Sequence, residues 1–354
     1  MEFRQGQDIA MAVFFRSLSC NKPDSIAGEY VNKIKNDIQN APILAFPLFD
    51  DMKNTDKTQR IHVGNFKSDR LKIAIANVSV RDVWSLEDAL KGKQPNRKYK
   101  RYLQLTELLN TTIKEKSDVL VLPENFLPPD WLAVLATKAA REGIAIIGGL
   151  EHIIANKKVY NYTTIILPFK IYDIIPSAAV FFQLKKFYAP DEKRIIEEYN
   201  YKAVQESQER PLYCWRDCYF PVYTCFELAA IQDRSKFMSW ADMIVAVEYN
   251  RDTNYFGSIL DSLTRDLHCY CVQVNCSEFG DSRITQPKKR EEQNLISIKG
   301  GLNQSLLIGE INIKELREFQ LKNYISKDNS SFKPVPPGFN SETVRKKLGI
   351  VDLK

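Results

Sequence analysis

From residue 71 onward, short apolar runs alternate along the chain with amphipathic segments. Residues 71–80 are apolar and rich in β-branched side chains, which predicts a strand, and residues 119–122 form a second, almost wholly apolar strand. Between them, apolar residues recur at helical spacing from Tyr102 to Ile113 and predict an amphipathic helix. A repeated order of strand and helix favours an α/β sheet core with helices outside.

The same alternation continues to about residue 320. Pro128-Pro129-Asp130 is typical of a helix start, and Gly143 is typical of a helix end. The further predicted elements are a helix at 131–141, strands at 144–147, 159–167, 178–184 and 243–247, a helix ending near Leu267, strands at 269–275 and 306–311, and a helix at 314–320.

This pattern divides the chain into three parts. Residues 1–70 hold two apolar stretches separated by polar segments, and we interpret them as an N-terminal extension or partner-facing element. Residues 71–320 form the main domain. Residues 321–354 are a C-terminal tail whose segment Pro334-Val335-Pro336-Pro337-Gly338 predicts a turn or an extended linker.

The composition narrows the class of protein. Of the 354 residues, 44% are hydrophobic and 27% charged, which is enough apolar content for a packed core. The net charge of +6 comes from mixed clusters without a basic stripe interleaved with aromatics, so nucleic-acid binding and membrane insertion are not expected. Seven cysteines, an odd number without a secretory signal, indicate reduced thiols and a cytoplasmic location.

Several kinds of active site are excluded by missing residues. Only three histidines are present, and no Gly-x-Ser-x-Gly elbow, phosphate-binding loop or dinucleotide-binding glycine motif occurs. Cys214 and Cys218, or Cys269, Cys271 and Cys276 beside a histidine, fit no common zinc spacing. We therefore expect neither a metal nor an organic cofactor.

Three reactive side chains each follow an apolar, strand-like run: Glu124, Lys185 and Cys225. A carboxylate can serve as general base, an ammonium can stabilise an oxyanion, and a thiol can be the nucleophile. Taken singly, Glu124 is better explained as a helix cap or the partner of a lysine, and Cys225 as a buried structural thiol. Because side chains alternate along a strand, at most one of Lys185 and Lys186 can enter a common site.

Other segments accompany these three in a consistent order, and together they resemble the nitrilase, or carbon–nitrogen hydrolase, superfamily. The resemblance covers about residues 71–320 and implies a four-layer α-β-β-α sandwich with a Glu-Lys-Cys triad. The additional landmarks are Gly148-Gly149-Leu150-Glu151, Tyr160-Asn161-Tyr162-Thr163, Ala241-Asp242-Met243-Ile244, Arg265, Asn275, Gly280-Asp281-Ser282-Arg283-Ile284, Pro287 and Leu307–Ile311.

The resemblance also implies roles for particular residues. It favours Lys185 over Lys186, because Pro190 and Glu192 then stand where the family has a proline and an auxiliary glutamate. The backbone N–H of Phe226 is expected to help hold the oxyanion.

The sequence also departs from the family pattern. Phe187 and Tyr188 replace the usual histidine-leucine, and residues 225–235 lack the usual proline. In the segment 248–256, the expected substrate pocket residues are Glu248, Asn250 and Tyr255.

These features predict a cysteine-dependent hydrolase of non-peptide C–N bonds in amides, carbamoyl compounds or nitriles, with a homodimer or higher oligomer expected from the resemblance. Acyl transfer from the same thioester stays open. The segments 265–269 and 299–303 also resemble nitrilase-like domains associated with bacterial reverse transcriptases in antiphage defence. That alternative would make the chain a binding or scaffold module with a reverse transcriptase partner.

Overall fold

Two β-sheets lie face to face in the computed structural model, which describes residues 15–17, 59–80, 86–93, 98–301, 304–322 and 332–350. The strands are β1 (Phe15–Ser17), β2 (Arg60–Val63), β3 (Arg70–Asn77), β4 (Val119–Val121), β5 (Ala145–Gly149), β6 (Ile153–Ala155), β7 (Lys158–Tyr160), β8 (Tyr162–Ile171), β9 (Ile175–Leu184), β10 (Lys202–Ala203), β11 (Leu212–Trp215), β12 (Cys218–Phe220), β13 (Val222–Thr224), β14 (Met243–Glu248), β15 (Tyr270–Asn275), β16 (Ser282–Thr285), β17 (Asn294–Ile298) and β18 (Ser305–Asn312).

Helices lie on the outer faces of these sheets and in the connections between strands. The α-helices are α1 (Leu86–Leu90), α2 (Tyr99–Lys114), α3 (Leu132–Glu142), α4 (Pro190–Glu198), α5 (Ile231–Ser235), α6 (Thr253–Asp266), α7 (Ile313–Leu321) and α8 (Ser341–Lys347). Short 3-10 helices cover Pro129–Trp131, Cys225–Ala229 and Arg290–Glu292. As the sequence predicts, α3 ends at Gly143, which adopts the left-handed conformation with φ 69°.

The larger sheet has the strand order β1-β9-β8-β5-β4-β3-β18, and the smaller has the order β13-β14-β15-β16-β17. Strands β3, β4 and β5 are parallel to one another, as are β13, β14 and β15. The carboxyl ends of parallel strands meet at one edge of a sheet, where α/β proteins collect their ligand-binding residues. Glu124 and Cys225 follow the carboxyl ends of β4 and β13 at such edges.

Alternating side chains build a core between the two sheets. Ile73 and Ile75 of β3 belong to the same buried cluster as Val245 and Val247 of β14. These side chains are almost fully excluded from water, and burial of each stabilises the fold by about 1.5–3 kcal/mol relative to exposure. The period of two along each strand therefore holds the two sheets together.

The residues between these positions point outward and pack against helices. Ala74 of β3 shares a cluster with Leu105 of α2 and Leu135 of α3. On the other side, Ile244 of β14 shares a separate cluster with Leu263 of α6. The order helix, sheet, sheet, helix is the four-layer α-β-β-α sandwich that the resemblance implies.

One predicted strand is divided in the structure. The expected strand 159–167 becomes β7 and β8, and Asn161 separates them. Helix α4, which the sequence pattern did not predict, begins at Pro190 and carries Glu192 in its first turn.

Most of residues 1–70, predicted to form an N-terminal extension, lie outside the described residues. Within the described part, β1 pairs with β9 in the larger sheet, and β2 pairs with β11 in a separate three-stranded sheet. Part of the predicted C-terminal tail packs on the main domain through α8. There, Lys347 Nζ is buried and donates a hydrogen bond to Asp242 Oδ1 at 2.8 Å, and Arg317 binds the same carboxylate.

Membrane-spanning helices and metal-binding clusters are both absent from the described ranges. None of their helices combines the length and the apolar character needed to cross a membrane. Nor do three histidine, cysteine, aspartate or glutamate side chains within those ranges converge in a way that could hold a metal ion.

Candidate active site

Glu124 lies in the turn after β4, and its side chain is buried with the residue only 2% exposed. Oε1 accepts hydrogen bonds from Lys185 Nζ at 2.9 Å and Asn161 Nδ2 at 2.8 Å. Oε2 accepts one from the backbone N–H of Tyr249 at 3.1 Å. Three donors therefore hold one carboxylate in a single orientation, as a general base requires.

Gly149 at the end of β5 allows the Glu124 turn to pass closely over the sheet. A Cβ atom at this position would lie 2.5 Å from Glu124 Cα and 2.7 Å from Asn125 N. The same turn is held by hydrogen bonds from the backbone N–H groups of Phe126 and Leu127 to the Gly149 carbonyl at 3.0 and 2.9 Å. Any side chain at residue 149 would therefore push directly against the backbone that carries Glu124.

Lys185 directly follows β9, and its side chain is almost fully buried. Besides Glu124, its Nζ donates to Glu192 Oε2 at 2.7 Å. Burial alone would lower the pKa of Lys185, but the two carboxylates outweigh burial and hold that pKa well above its ordinary value. Lys186 points elsewhere, with Nζ 3.9 Å from Glu209 and partly exposed, so the structure brings Lys185 rather than Lys186 to the cluster.

Glu192 enters the cluster from the first turn of α4. Its Oε1 accepts a hydrogen bond from Asn161 Nδ2 at 3.2 Å and lies 3.4 Å from His152 Nε2. Burial would raise the pKa of Glu192, but Lys185 and then His152 lower it to about 2. The carboxylate is therefore ionised at neutral pH and fixes the ammonium of Lys185 opposite Glu124.

Cys225 is the first residue of a 3-10 helix, and its backbone has φ 48°, in the left-handed region. A conformation of this kind costs about 1–3 kcal/mol in a residue other than glycine and is common at functional sites. The turn is held by a capping box in which Thr224 and Glu227 each bind the other's backbone N–H. The strained turn presents the thiol at the N-terminal end of a short helix.

The surroundings of the Cys225 thiol favour its protonated form. The residue is 8% exposed, and burial raises the pKa of the thiol well above its ordinary value. The negative charge of Glu124 raises this pKa further, whereas the positive charge of Lys185 lowers it. A thiol of this kind needs a base before it can attack a substrate.

The main chain of Tyr249 joins the thiol to the base. Its carbonyl accepts a hydrogen bond from Cys225 Sγ at 3.8 Å, and its N–H is the donor to Glu124 Oε2. Asn275 holds the segment after β14, because its Nδ2 donates to the Asn250 carbonyl at 2.8 Å and its Oδ1 accepts from the Asn250 N–H at 2.9 Å. Glu124, Lys185, Glu192 and Cys225 thus belong to one connected site.

The remaining predicted site residues differ in how far they are buried from solvent. Phe226 is half-buried beside Cys225 and lines an open pocket of about 560 Å³ together with Tyr188. Glu248 and Asn250 are buried at the end of β14 and in the segment that follows. Tyr255 is 50% exposed on α6, where its ring packs edge-on against Phe256.

Sequence reasoning assigned no role to three residues that support the site. Asn161 bridges Glu124 and Glu192, and His152 contacts Glu192. Arg210 is buried, and its Nη1 donates to Glu227 Oε2 at 3.0 Å, which steadies the turn that carries Cys225. Among these residues only Asn161 had a signal, since it is a polar residue inside an apolar strand-like run.

Comparison with protein-family models gives no match for this chain, and comparison with curated proteins gives none either. Two amidase structures from Nesterenkonia sp. are similar: one is 16% identical with a TM-score of 0.48 and covers 72% of this chain and 95% of its own. The other carries the acetamide moiety of fluoroacetamide on its active site cysteine, is 14% identical with a TM-score of 0.48, and covers 70% of this chain and 93% of its own.

A CN-hydrolase superfamily protein from Xanthomonas campestris, solved with an arsenic adduct in its active site, is 17% identical to this chain. The match covers 75% of this chain and 98% of the Xanthomonas chain, with a TM-score of 0.53. At this identity the likeness concerns the fold alone. The chain therefore has a mixed α/β fold like that of a CN-hydrolase superfamily structure.

Proposed function

We propose that this chain is a cysteine-dependent hydrolase of non-peptide C–N bonds in amides, carbamoyl compounds or nitriles, with Glu124, Lys185 and Cys225 as its triad. The observation that carries the proposal is the pair of bonds at Tyr249. Its N–H binds the Glu124 carboxylate and its carbonyl binds the Cys225 thiol, while Lys185 Nζ contacts the same carboxylate at 2.9 Å.

For an amide, the first step is proton transfer from Cys225 Sγ to Glu124, and the thiolate attacks the carbonyl carbon. A C–S bond forms, and the π electrons of the C=O bond move to oxygen. The positive charge of Lys185 and the N–H of Phe226 stabilise the resulting oxyanion. Lys185 is suited to this role because its raised pKa keeps it protonated throughout.

The second step breaks the C–N bond. Glu124 returns its proton to the nitrogen, which leaves as ammonia or an amine, and the acyl group remains on Cys225 as a thioester. Water then gives a proton to Glu124 and its oxygen attacks the thioester carbon. The C–S bond breaks, the carboxylic acid leaves, and Sγ recovers the proton from Glu124.

Glu192 and Asn161 act by positioning the other groups. Glu192 holds the Lys185 ammonium at 2.7 Å, and Asn161 Nδ2 binds both carboxylates. Correct placement of the reacting groups can supply several kcal/mol of the lowering of the barrier. Loss of either residue should therefore reduce the rate through the geometry of Lys185 and Glu124.

The test compares ammonia release by wild type and Cys225→Ser over a panel of small amides, carbamoyl compounds and nitriles. Cys214→Ser is the matched control, because Cys214 is also buried but lies in β11. We expect turnover by wild type and the control and at least a thousandfold loss in Cys225→Ser. Equal turnover by wild type and Cys225→Ser would refute the thiol mechanism.

A second experiment is independent of the substrate. Iodoacetamide should add a carboxamidomethyl group preferentially at Cys225, because Glu124 can accept the proton of this thiol and the charge of Lys185 stabilises the thiolate. Intact mass and peptide mapping locate the label. Labelling spread evenly over the cysteines would count against an activated Cys225.

The expectations about assembly stay predictions from sequence. A homodimer or higher oligomer can be tested by light scattering, and a monomer would contradict it. A scaffold role beside a reverse transcriptase predicts stable co-purification and normal function of Cys225→Ala. Acyl transfer predicts a new amide product when a primary amine is added to the assay.

A further inference from the structure

Glu227, two residues after the nucleophile, makes a hydrogen bond that lies outside its capping box. The residue is 0% exposed, and both of its carboxylate oxygens accept hydrogen bonds. Oε2 accepts from the Thr224 N–H at 2.8 Å and from Arg210 Nη1 at 3.0 Å. Oε1 accepts from the Lys186 N–H, which lies 41 residues earlier in the chain. One side chain therefore binds the main chain of two segments, of which one carries the nucleophile and the other the ammonium.

These two segments belong to different sheets. Lys185 and Lys186 follow β9 of the larger sheet, whereas Cys225 follows β13 of the smaller sheet. Hydrogen bonds between paired strands fix the strands of one sheet, and they do not fix the end of one sheet relative to the other. A second bond between the segments, from Gln183 Nε2 to the Val222 carbonyl at 2.8 Å, lies farther from the reactive side chains. Glu227 thus connects the sheets directly beside the two reactive residues, and the fold does not depend on this connection alone.

The charge of Glu227 strengthens the connection. A hydrogen bond to an ionised carboxylate is roughly twice as strong as one between neutral groups. Arg210 balances the buried charge, since it contacts Glu227 Oε2 and also donates from Nε to Asp233 Oδ2 at 2.7 Å. The carboxylate of Glu227 is therefore held from three directions.

The separation of Lys185 from Cys225 affects the thiol through charge. Burial raises the pKa of Cys225, the charges of Glu124, Glu248 and Glu192 raise it further, and the positive charge of Lys185 lowers it. The attraction between two charges weakens as they move apart. A displacement of the ammonium away from the thiol would therefore raise the pKa of Cys225 and weaken the stabilisation of the oxyanion.

We propose, on the basis of the function proposed above, that Glu227 is a positioning residue that holds the Lys185 ammonium close to the Cys225 thiol. It acts through the main chain beside each of these residues. Its contribution to the rate comes from the placement of the ammonium and from the reactivity of the thiol, and substrate binding does not depend on it.

The test compares wild type with Glu227→Gln. The amide oxygen keeps the two donors that Oε2 has in wild type, so the amide NH2 faces the Lys186 N–H and that connection is lost. The rate at which iodoacetamide alkylates Cys225 is measured as a function of pH, with peptide mapping of the product. The profile of Glu227→Gln should shift to higher pH by about half a unit to one unit, because the ammonium is no longer held beside the thiol.

The sign of this shift separates placement from charge. Loss of a negative charge alone would lower the pKa of the thiol and shift the profile to lower pH. Asp233→Asn is the matched control, since it removes the other buried carboxylate that Arg210 binds, and its profile should not shift to higher pH. An equal upward shift in both variants, or no upward shift in folded Glu227→Gln, would overturn the proposal.

A second variant keeps the charge and changes only the reach of the side chain. Glu227→Asp leaves Arg210 with its counter-charge, so it should fold even if Glu227→Gln does not. Its carboxylate is shorter by one methylene group and cannot bind both N–H groups at once. The alkylation profile should again shift to higher pH, and a wild-type profile would overturn the proposal.

Alkylation requires no turnover of an amide, so failure of this proposal can be distinguished from failure of the proposed function. If wild type hydrolyses an amide, Glu227→Gln should lower kcat about tenfold and change KM by less than about threefold. Turnover that depends on Cys225, together with an unshifted alkylation profile, overturns only the role of Glu227. A shifted profile without turnover of any amide supports that role and counts against hydrolysis. If iodoacetamide labels Cys225 of wild type at no pH, both proposals are overturned.

Discussion

The substitution Gly149→Ala tests whether the position of Glu124 depends on a close backbone approach. The new Cβ would lie 2.5 Å from Glu124 Cα, whereas two carbon atoms normally approach to about 3.5–4 Å. The two segments must therefore separate by ~1 Å. The Glu124 turn is the part that must move, because Gly149 is held in β5 by pairing with Thr163 of β8.

The expected loss of activity in Gly149→Ala follows from that displacement. Misplacing a catalytic group by ~1 Å can reduce the rate by ~10²-fold, which corresponds to ~2.7 kcal/mol at 1.36 kcal/mol for each tenfold change. Overpacking of a buried site also destabilises a fold by about 1–3 kcal/mol. We therefore expect a folded protein with a lower melting temperature and a much larger loss of activity than of stability.

The assay combines kcat/KM for an amide substrate, the rate of Cys225 alkylation by iodoacetamide, and the melting temperature. Gly309→Ala is the matched control. Its Cβ would meet the Ile296 Cδ1 methyl at 2.9 Å, which is the flexible end of a side chain. This contact is far along the chain from the Glu124 turn. A folded Gly149→Ala protein with kcat/KM within threefold of wild type would refute the reasoning about the Glu124 turn.

Four other substitutions test buried ionisable groups. Asp242→Asn leaves the buried Lys347 without its counter-charge and leaves Arg317 with Asp217 alone, so urea titration should show a loss of about 3–5 kcal/mol. Lys347→Met should lose clearly less because Asp242 keeps Arg317, and equal losses would contradict this. Lys185→Met should reduce ammonia release at least 10³-fold, because Glu124 and Glu192 lose the ammonium that they share. The circular dichroism spectrum of this variant should remain native. Burial lowers the pKa of His268 in the folded state, so its contribution to stability is present above about pH 6.5 and is lost at lower pH. Between pH 7.5 and 5.5 the melting temperature should therefore fall more in wild type than in His268→Gln, and equal falls would count against it.

Much of the fold could be predicted because buried strands carry a strong local signal. The predicted strand 243–247 is one residue shorter than β14, and the predicted helix 131–141 is shifted by one residue from α3. Both elements are apolar where they face the core and end at polar or glycine residues. The three segments around Glu124, Lys185 and Cys225 were recognisable for the same reason, since each reactive residue directly follows such a strand or its turn.

The polar network around the site could not be predicted, because its partners are distant in the chain and show no periodicity. His152 meets Glu192 across 40 residues, and Asn161 meets Glu124 across 37. The burial of a lysine in the C-terminal helix α8 could not be predicted for the same reason. Its basic residues are typical of a solvated surface, yet Lys347 is buried because it binds Asp242, 105 residues earlier.

The bonds from Tyr249 have a consequence for how such a protein could evolve. Tyr249 contacts Glu124 through its N–H and Cys225 through its carbonyl, and both groups belong to the main chain. Every amino acid except proline, which lacks the N–H, provides both groups. The spacing of base and nucleophile is thus independent of the side chain at residue 249. That side chain packs edge-on against Phe279 next to the site. Substitutions at this position could reshape the neighbourhood of the thiol over many generations while the chemistry continued without interruption.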